Sequence, residues 1–404
     1  MKFNNYAEKK SKFISNILMY WLFFLSGNPI IYKENYEAVL LLSLVIYVYY
    51  SRLNNKSQIQ GSIVAVLSSF FIICIFQTIL NNDFQVYTMM GFFVRVMIAF
   101  FAVQSIPKFI DTYVNVLYLI TIISLIIHFF NLFFDIKELL LPLFIYPDKF
   151  QHILIHNFNV NYTEWGVLDV SFRNSAFFWE PAAFAGYLLI GLMFIKHIKE
   201  NLEDRRVFKM YIVFLVGLLT TLSTTAYVLM PFALYYNFNS RLSKGFNRAF
   251  TLFIFILSFF ILIIANSYSS FLSEKIFDEY QGTVSADTNY HVTRMGGIVF
   301  DSEDILQKPL FGWGPHPQSR GRSDDEVLEQ GNGFSGFIVK FGFTGIILYL
   351  YFLYTSLVKS HYFAKKEALF FGVVIILLLN TEFYLGYPLF FCLLFLPQKL
   401  FKNK

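Results

Sequence analysis

Arg173, Arg294, Arg320 and Arg322 are the residues of this chain best suited to hold a phosphate. A guanidinium is planar, permanently charged and presents paired N–H donors that match two phosphate oxygens at once. All four lie in two long segments, 135–175 and 268–332, that interrupt a series of apolar runs. A structural reading stands beside each. Arg173 can snorkel to lipid headgroups, Arg294 can pair with Asp287 or Asp301, and Asp324, Asp325 and Glu326 can neutralise Arg320 and Arg322. Glu180 follows Arg173 by seven residues, and a helix that started early would put both on one face, two turns apart. Such a carboxylate either clamps an arginine or serves as a general base whose pKa burial tunes.

A second cluster lies in Phe311-Gly312-Trp313-Gly314-Pro315-His316. The glycines let backbone approach a ligand closely, and the Trp313 ring offers a flat surface to a sugar; the plainer reading is a structural turn. His316 exchanges protons near neutral pH and is the second candidate base. Arg95 sits inside an apolar run, where an unpaired guanidinium costs several kcal/mol, so it points inward, pairs or snorkels. His128 reads as a polar core residue. The chain has no P-loop, dinucleotide fingerprint, HExxH, Cys/His metal spacing or nucleophile elbow. The chemistry expected is charge stabilisation with at most one base, and neither metal nor cofactor.

The elements that must position these groups are membrane helices. Of 404 residues 56% are hydrophobic and 15% charged, against about a quarter charged in soluble domains. An all-α, polytopic membrane protein follows, read as one transmembrane helical domain over 1–404. Cys74 and Cys392 lie in apolar runs, and the net charge of +5 is spread over loops, which excludes a nucleic-acid partner. The first run follows Lys9, Lys10 and Lys12 with no small-residue cleavage site, so it reads as a retained helix. About twelve spans are expected, at 13–32, 37–50, 61–80, 89–106, 113–134, 176–195, 210–222, 226–238, 249–267, 333–357, 368–380 and 386–398. With the N-terminus in the cytoplasm, every inner segment carries Lys or Arg, both termini are inside, and 135–175 and 268–332 face outward. The stretch Asp135–Phe150 reads as lying flat on the outer interface. His291–Gln307 reads as an amphipathic helix with apolar Met295, Ile298, Val299, Ile305 and Leu306, stopped by Lys308-Pro309.

Four ordered motifs then resemble the O-antigen polymerase and ligase superfamily of bacterial envelopes. They are Arg173 to Pro181, the Leu218–Thr225 break, Arg294 followed by Lys308-Pro309-Leu310-Phe311-Gly312-Trp313-Gly314, and Asn332-Gly333-Phe334 leading to Phe341-Gly342-Phe343-Thr344-Gly345. The resemblance implies a GT-C-like fold in the bacterial inner membrane that acts at the periplasmic face on undecaprenyl-pyrophosphate-linked oligosaccharide repeat units. Membrane lipids and a chain-length regulator protein are the further partners expected. Arg173 and Arg294, then Arg320, Arg322 and Arg95, would bind the pyrophosphate, with Glu180 or His316 as base and Trp313 on the sugar. Ligases of the superfamily carry a histidine near the position of Gly331-Asn332, so its absence favours a polymerase unless His316 takes that role from further upstream. The alternatives are a ligase that transfers the glycan to lipid A core, and a lipid-linked oligosaccharide flippase or transporter.

Overall fold

The computed structural model describes residues 2–32, 36–54, 61–82, 85–134, 136–143, 152–158, 160–163, 166–169, 173–198, 203–238, 294–316, 332–360 and 362–397. The expected span 249–267 and the residues Arg320 and Arg322 lie outside them, as does most of 268–332. In chain order the helices are α1 (Lys2–Leu25), α2 (Tyr36–Leu53), α3 (Gly61–Asn81), α4 (Val86–Ser105), α5 (Phe109–Phe134), α6 (Lys137–Leu140), α7 (Pro181–Ile198), α8 (Asp204–Thr220), α9 (Thr224–Phe238), α10 (Arg294–Gln307), α11 (Gly333–Lys359), α12 (Lys365–Leu379) and α13 (Pro388–Cys392). Two small antiparallel hairpins interrupt them, β1 (His152–Ile153) with β2 (His156–Asn157), and β3 (Val160–Thr163) with β4 (Gly166–Asp169).

Six of these helices, α2, α3, α4, α5, α7 and α11, are long and apolar enough to cross a membrane. Leu41, Val45, Phe71, Ile79, Leu119, Ile126 and Phe133 stand exposed along them, surface that water does not tolerate in such quantity but hydrocarbon does. The protein is therefore a mostly helical membrane protein. The last expected span, 386–398, is not one continuous helix. It is a 3-10 turn at Tyr384–Gly386, the five residues of α13 and a second 3-10 turn at Leu393–Phe395. Pro388 takes the first helical position and Tyr387 before it is extended, so the turn before it is a separate piece.

The chain divides into two compact units, each assembled from separated stretches of sequence. The first comprises Met1–Val39 and Ile106–Leu262. Its centre is α7, buried along nearly its whole length and packed by α5, α8 and α9. Small residues make this possible: a Cβ on Gly191 would stand 2.7 Å from Leu117, and one on Gly217 2.8 Å from Thr121. Helices without a large side chain at the contact approach closely, the usual solution where lipid supplies no hydrophobic drive between helices.

The second unit comprises Leu40–Ser105 and Ile263–Lys404. Here aromatic rings fill the core. Phe70 meets Phe92 at 5.0 Å and Phe341 at 5.5 Å between centroids, and Phe391 meets Phe92 at 5.4 Å edge-on. Such tilted and edge-on pairs are the favoured geometries of ring quadrupoles, which is one use this phenylalanine-rich chain makes of its 52 Phe. Around α11 pack α10, α12 and α3, while α13 packs on α4.

Candidate functional site

In the first unit, the segment before α7 and the break between α8 and α9 fold against one another. The polar run Thr220-Thr221-Leu222-Ser223 ends α8, and Leu222 takes a left-handed conformation (φ 45°) before α9 begins at Thr224. The bend expected at 222–225 is therefore present, and it exposes carbonyls that the helix no longer uses. Arg173 is buried and donates from Nε to the Thr221 carbonyl at 3.2 Å. Its neighbour Asn174 donates from its backbone N–H to the Thr220 carbonyl at 2.9 Å. The Asn174 side chain accepts from Ser124 Oγ of α5 at 2.5 Å and from Ala176 N at 2.9 Å, and donates to Thr220 Oγ1 at 3.2 Å. The guanidinium thus belongs to a rigid polar knot, and its charge is felt at the phenol of Tyr227 one turn into α9.

Glu180 does not lie within the helix, contrary to the expected start at 176. The segment 173–180 is non-helical, with Ala176 at φ 51°, and α7 begins at Pro181. Proline's fixed φ and missing N–H suit the first helical position best, which favours the boundary here. The two-turn register between Arg173 and Glu180 accordingly does not exist. Glu180 is half-buried, and its carbonyl accepts the first bond of the helix from Phe184 N at 3.3 Å.

The β1–β2 hairpin closes over this segment. Asn157 N donates to the Ala176 carbonyl at 2.5 Å, and its side chain to the Phe178 carbonyl at 3.0 Å. His156 is buried between them against the Phe158 ring, 4.9 Å away, with Nδ1 making no hydrogen bond among the described residues. Burial, and then the neighbouring His128 of α5, push its pKa down to about 3, so it is neutral at physiological pH.

In the second unit, the other two motifs fold together in the same way. α11 is broken at Gly342, whose φ of 67° and extended ψ only glycine adopts without strain. The segment after α10 repairs the break. Phe343 N and Thr344 N donate to the carbonyls of Pro309 and Leu310 at 2.8 and 3.2 Å, and Trp313 N and Gly314 N donate to those of Val339 and Lys340 at 2.8 and 3.1 Å. Gln77 of α3 reaches in and donates to the Phe311 and Lys340 carbonyls at 2.5 and 2.6 Å. Gly312 is required because a Cβ would meet the Val339 carbonyl at 2.5 Å. Non-helical backbone at membrane depth survives only where protein satisfies it, and here it does. At the head of α11, Asn332 caps Phe334 N and Ser335 N at 3.0 Å each.

The Trp313 ring is half-buried, its Nε1 donates to the Asp304 carbonyl at 2.9 Å, and the Lys308 ammonium lies 3.6 Å from the ring centroid. His316 is half-buried and tied by its N–H to Gln85 Oε1 at 2.9 Å. Arg294 opens α10, and Arg95 is half-buried in α4. Helix α10 exists where expected but turns the other way. Gly297, Asp301 and Asp304 form its buried stripe, while Val299 and Leu306 are exposed. Asp301 can face inward because Ser335 Oγ donates to its carboxylate at 2.5 Å. Among the described residues, no three of His, Cys, Asp and Glu converge as metal ligands do.

The structure therefore places Arg173 and Glu180 in one unit, and Arg294, Trp313, His316 and Arg95 in the other. Asn174, His156 and Gln77 are polar residues central to these sites that the sequence reading passed over, while Asp301 figured there only as a partner for Arg294; Gln77 alone gave a signal, as an amide within a mostly apolar run. The chain matches no protein-family model and no curated protein.

Proposed function

We propose that this chain is a polyprenyl-pyrophosphate-linked oligosaccharide polymerase of a bacterial inner membrane, with a GT-C-like helical fold, that works at the periplasmic face on undecaprenyl-pyrophosphate-linked repeats. The observation that supports this best is Arg173, a buried guanidinium held by a helix break in a membrane protein. A membrane helix bundle rarely keeps a buried permanent charge without a function for it. In the reaction, the hydroxyl of the terminal sugar on a new repeat attacks the anomeric carbon of the growing chain. The anomeric carbon–oxygen bond to pyrophosphate breaks, the electron pair leaves with the pyrophosphate, and the hydroxyl proton passes to a base.

Arg173 stabilises the negative charge that grows on the departing diphosphate, the step most in need of fixed positive charge, and Arg294 is the second candidate ligand. Arg320, Arg322 and Arg95 are the further candidate ligands. Glu180 is the base or the orienter of an arginine, and His316 the second candidate base, with Trp313 against the sugar.

The test is purified protein with lipid-linked repeat, in the presence and absence of EDTA. Polymer is expected in both. Arg173→Ala and Arg294→Ala are expected to abolish long chains while the protein still inserts; normal chain length in both variants removes the proposal.

A further inference from the structure

We infer that Lys308 binds the phosphate of a lipid headgroup, with the lipid chain lying along Leu306 and Leu310. Lys308 follows the last residue of α10 and is half-buried. Its ammonium donates to Asn81 Oδ1 at 2.5 Å and lies 3.6 Å from the Trp313 ring centroid. Asn81 in turn donates from Nδ2 to the Trp313 carbonyl at 2.9 Å, so lysine, amide and ring form one fixed arrangement. An ammonium has three N–H donors, and an amide oxygen plus a ring face leave donor capacity for an anion. Among the described residues no carboxylate is paired with it. Burial lowers its pKa, as expected of a cation partly stripped of water.

Position identifies the ligand. Asn81 is the last residue of α3, a helix long and apolar enough to span the membrane, so the ammonium is held at the level where a spanning helix leaves hydrocarbon. Lipid phosphates lie at that level. Leu306 is 80% and Leu310 63% exposed on either side of Lys308, and Ile79 and Leu80 of α3 are 65% and 63% exposed beside Asn81. The exposure is not looseness, because the backbone here is locked by the bonds from Thr344 N to the Leu310 carbonyl and from Gln77 to that of Phe311. A cation at the membrane boundary, with exposed apolar residues next to it and to its Asn81 partner along the chain, matches a phosphate on an acyl or prenyl chain. This inference deepens the proposed function, since it adds a ligand for the same phosphate chemistry.

The full-length protein in neutral detergent is titrated with undecaprenyl pyrophosphate, and separately with phosphatidylglycerol. Lys308→Gln is expected to weaken binding about tenfold, the usual worth of one charge-assisted hydrogen bond, and Lys308→Arg to retain it. Loss confined to the prenyl pyrophosphate assigns Lys308 to a carrier lipid, and equal loss of both assigns it to bulk phospholipid; either supports the inference. Unchanged affinity for both lipids in Lys308→Gln overturns it. If Lys308→Gln does not fold, Leu306→Ser with Leu310→Ser alters only exposed side chains. That variant is expected to bind both lipids more weakly and inorganic pyrophosphate as before, and unaltered lipid binding overturns the inference. Because binding is read without turnover, Lys308-dependent binding alongside absent polymer would remove the polymerase reading alone.

Discussion

Arg173 Nε and the Thr221 carbonyl lie 48 residues apart in the chain and 3.2 Å apart in the fold. A lysine cannot reproduce both that bond and a bidentate grip on phosphate, because its ammonium is a point charge without a planar fork. Arg173→Lys should therefore keep the protein folded, with a melting temperature near the parent's, and lose most polymer formation in the purified assay. His156 makes a different prediction. Its folded pKa of about 3 is below the ordinary histidine value of about 6.5, so between those values the unfolded chain binds the proton and the folded one does not. Stability from this residue is complete above pH 6.5 and declines as pH falls toward 3, by up to about 1.4 kcal/mol per pH unit. The groups facing it are His128 from α5 and the Phe158 ring. Melting curves at pH 7 and pH 5 should separate less for His156→Phe than for the parent.

Among elements, the broken α11 carries the clearest expectation. At Gly342 any side chain would strike the Leu310 carbonyl, and the φ of 67° adds strain for an L-residue. Gly342→Ala should cost about 2 kcal/mol or more, read as a lower melting temperature and poorer folded yield. Gln77→Leu removes the donor shared by the Phe311 and Lys340 carbonyls, of which the second keeps Gly314 N, and about 1–3 kcal/mol is expected. The apolar run 333–357 hid the break, since hydropathy registers composition and not hydrogen bonds. Whether a glycine in a membrane helix continues or interrupts it depends on whether a partner supplies donors and acceptors, and that partner lies about 30 residues upstream in the chain. The break between α8 and α9 was legible because Thr220, Thr221, Ser223, Thr224 and Thr225 sit together in its sequence.

At the scale of the whole molecule, the helices long enough to span are those the apolar runs announced. α3 was expected at 61–80 and is found at Gly61–Asn81. Orientation can be tested with the chain's own chemistry. Cys74 and Cys392 are buried, so a membrane-impermeant maleimide should not react with the native protein in intact cells. Arg205 and Gln307 are exposed, one at the start of α8 and the other at the end of α10. Gln307→Cys should be labelled from outside the inner membrane and Arg205→Cys only after permeabilisation. The reverse pattern would turn the proposed pyrophosphate ligands toward the cytoplasm and end the polymerase reading.

The amino-acid sequence by itself determined that this is a helical membrane protein, where its longest apolar runs lie, and which residues are charged enough to meet a phosphate. Those properties are additive along the chain, so counting suffices. Tertiary structure decided that the four motifs fold as two interlocked pairs, Arg173–Pro181 with Leu218–Thr225 and Lys308–Gly314 with Asn332–Gly345. It also decided that α10 buries Asp301 and Asp304 and exposes Leu306. Each of these outcomes depends on which distant backbone group lacks a hydrogen-bond partner, a property of the folded neighbourhood that no local pattern contains.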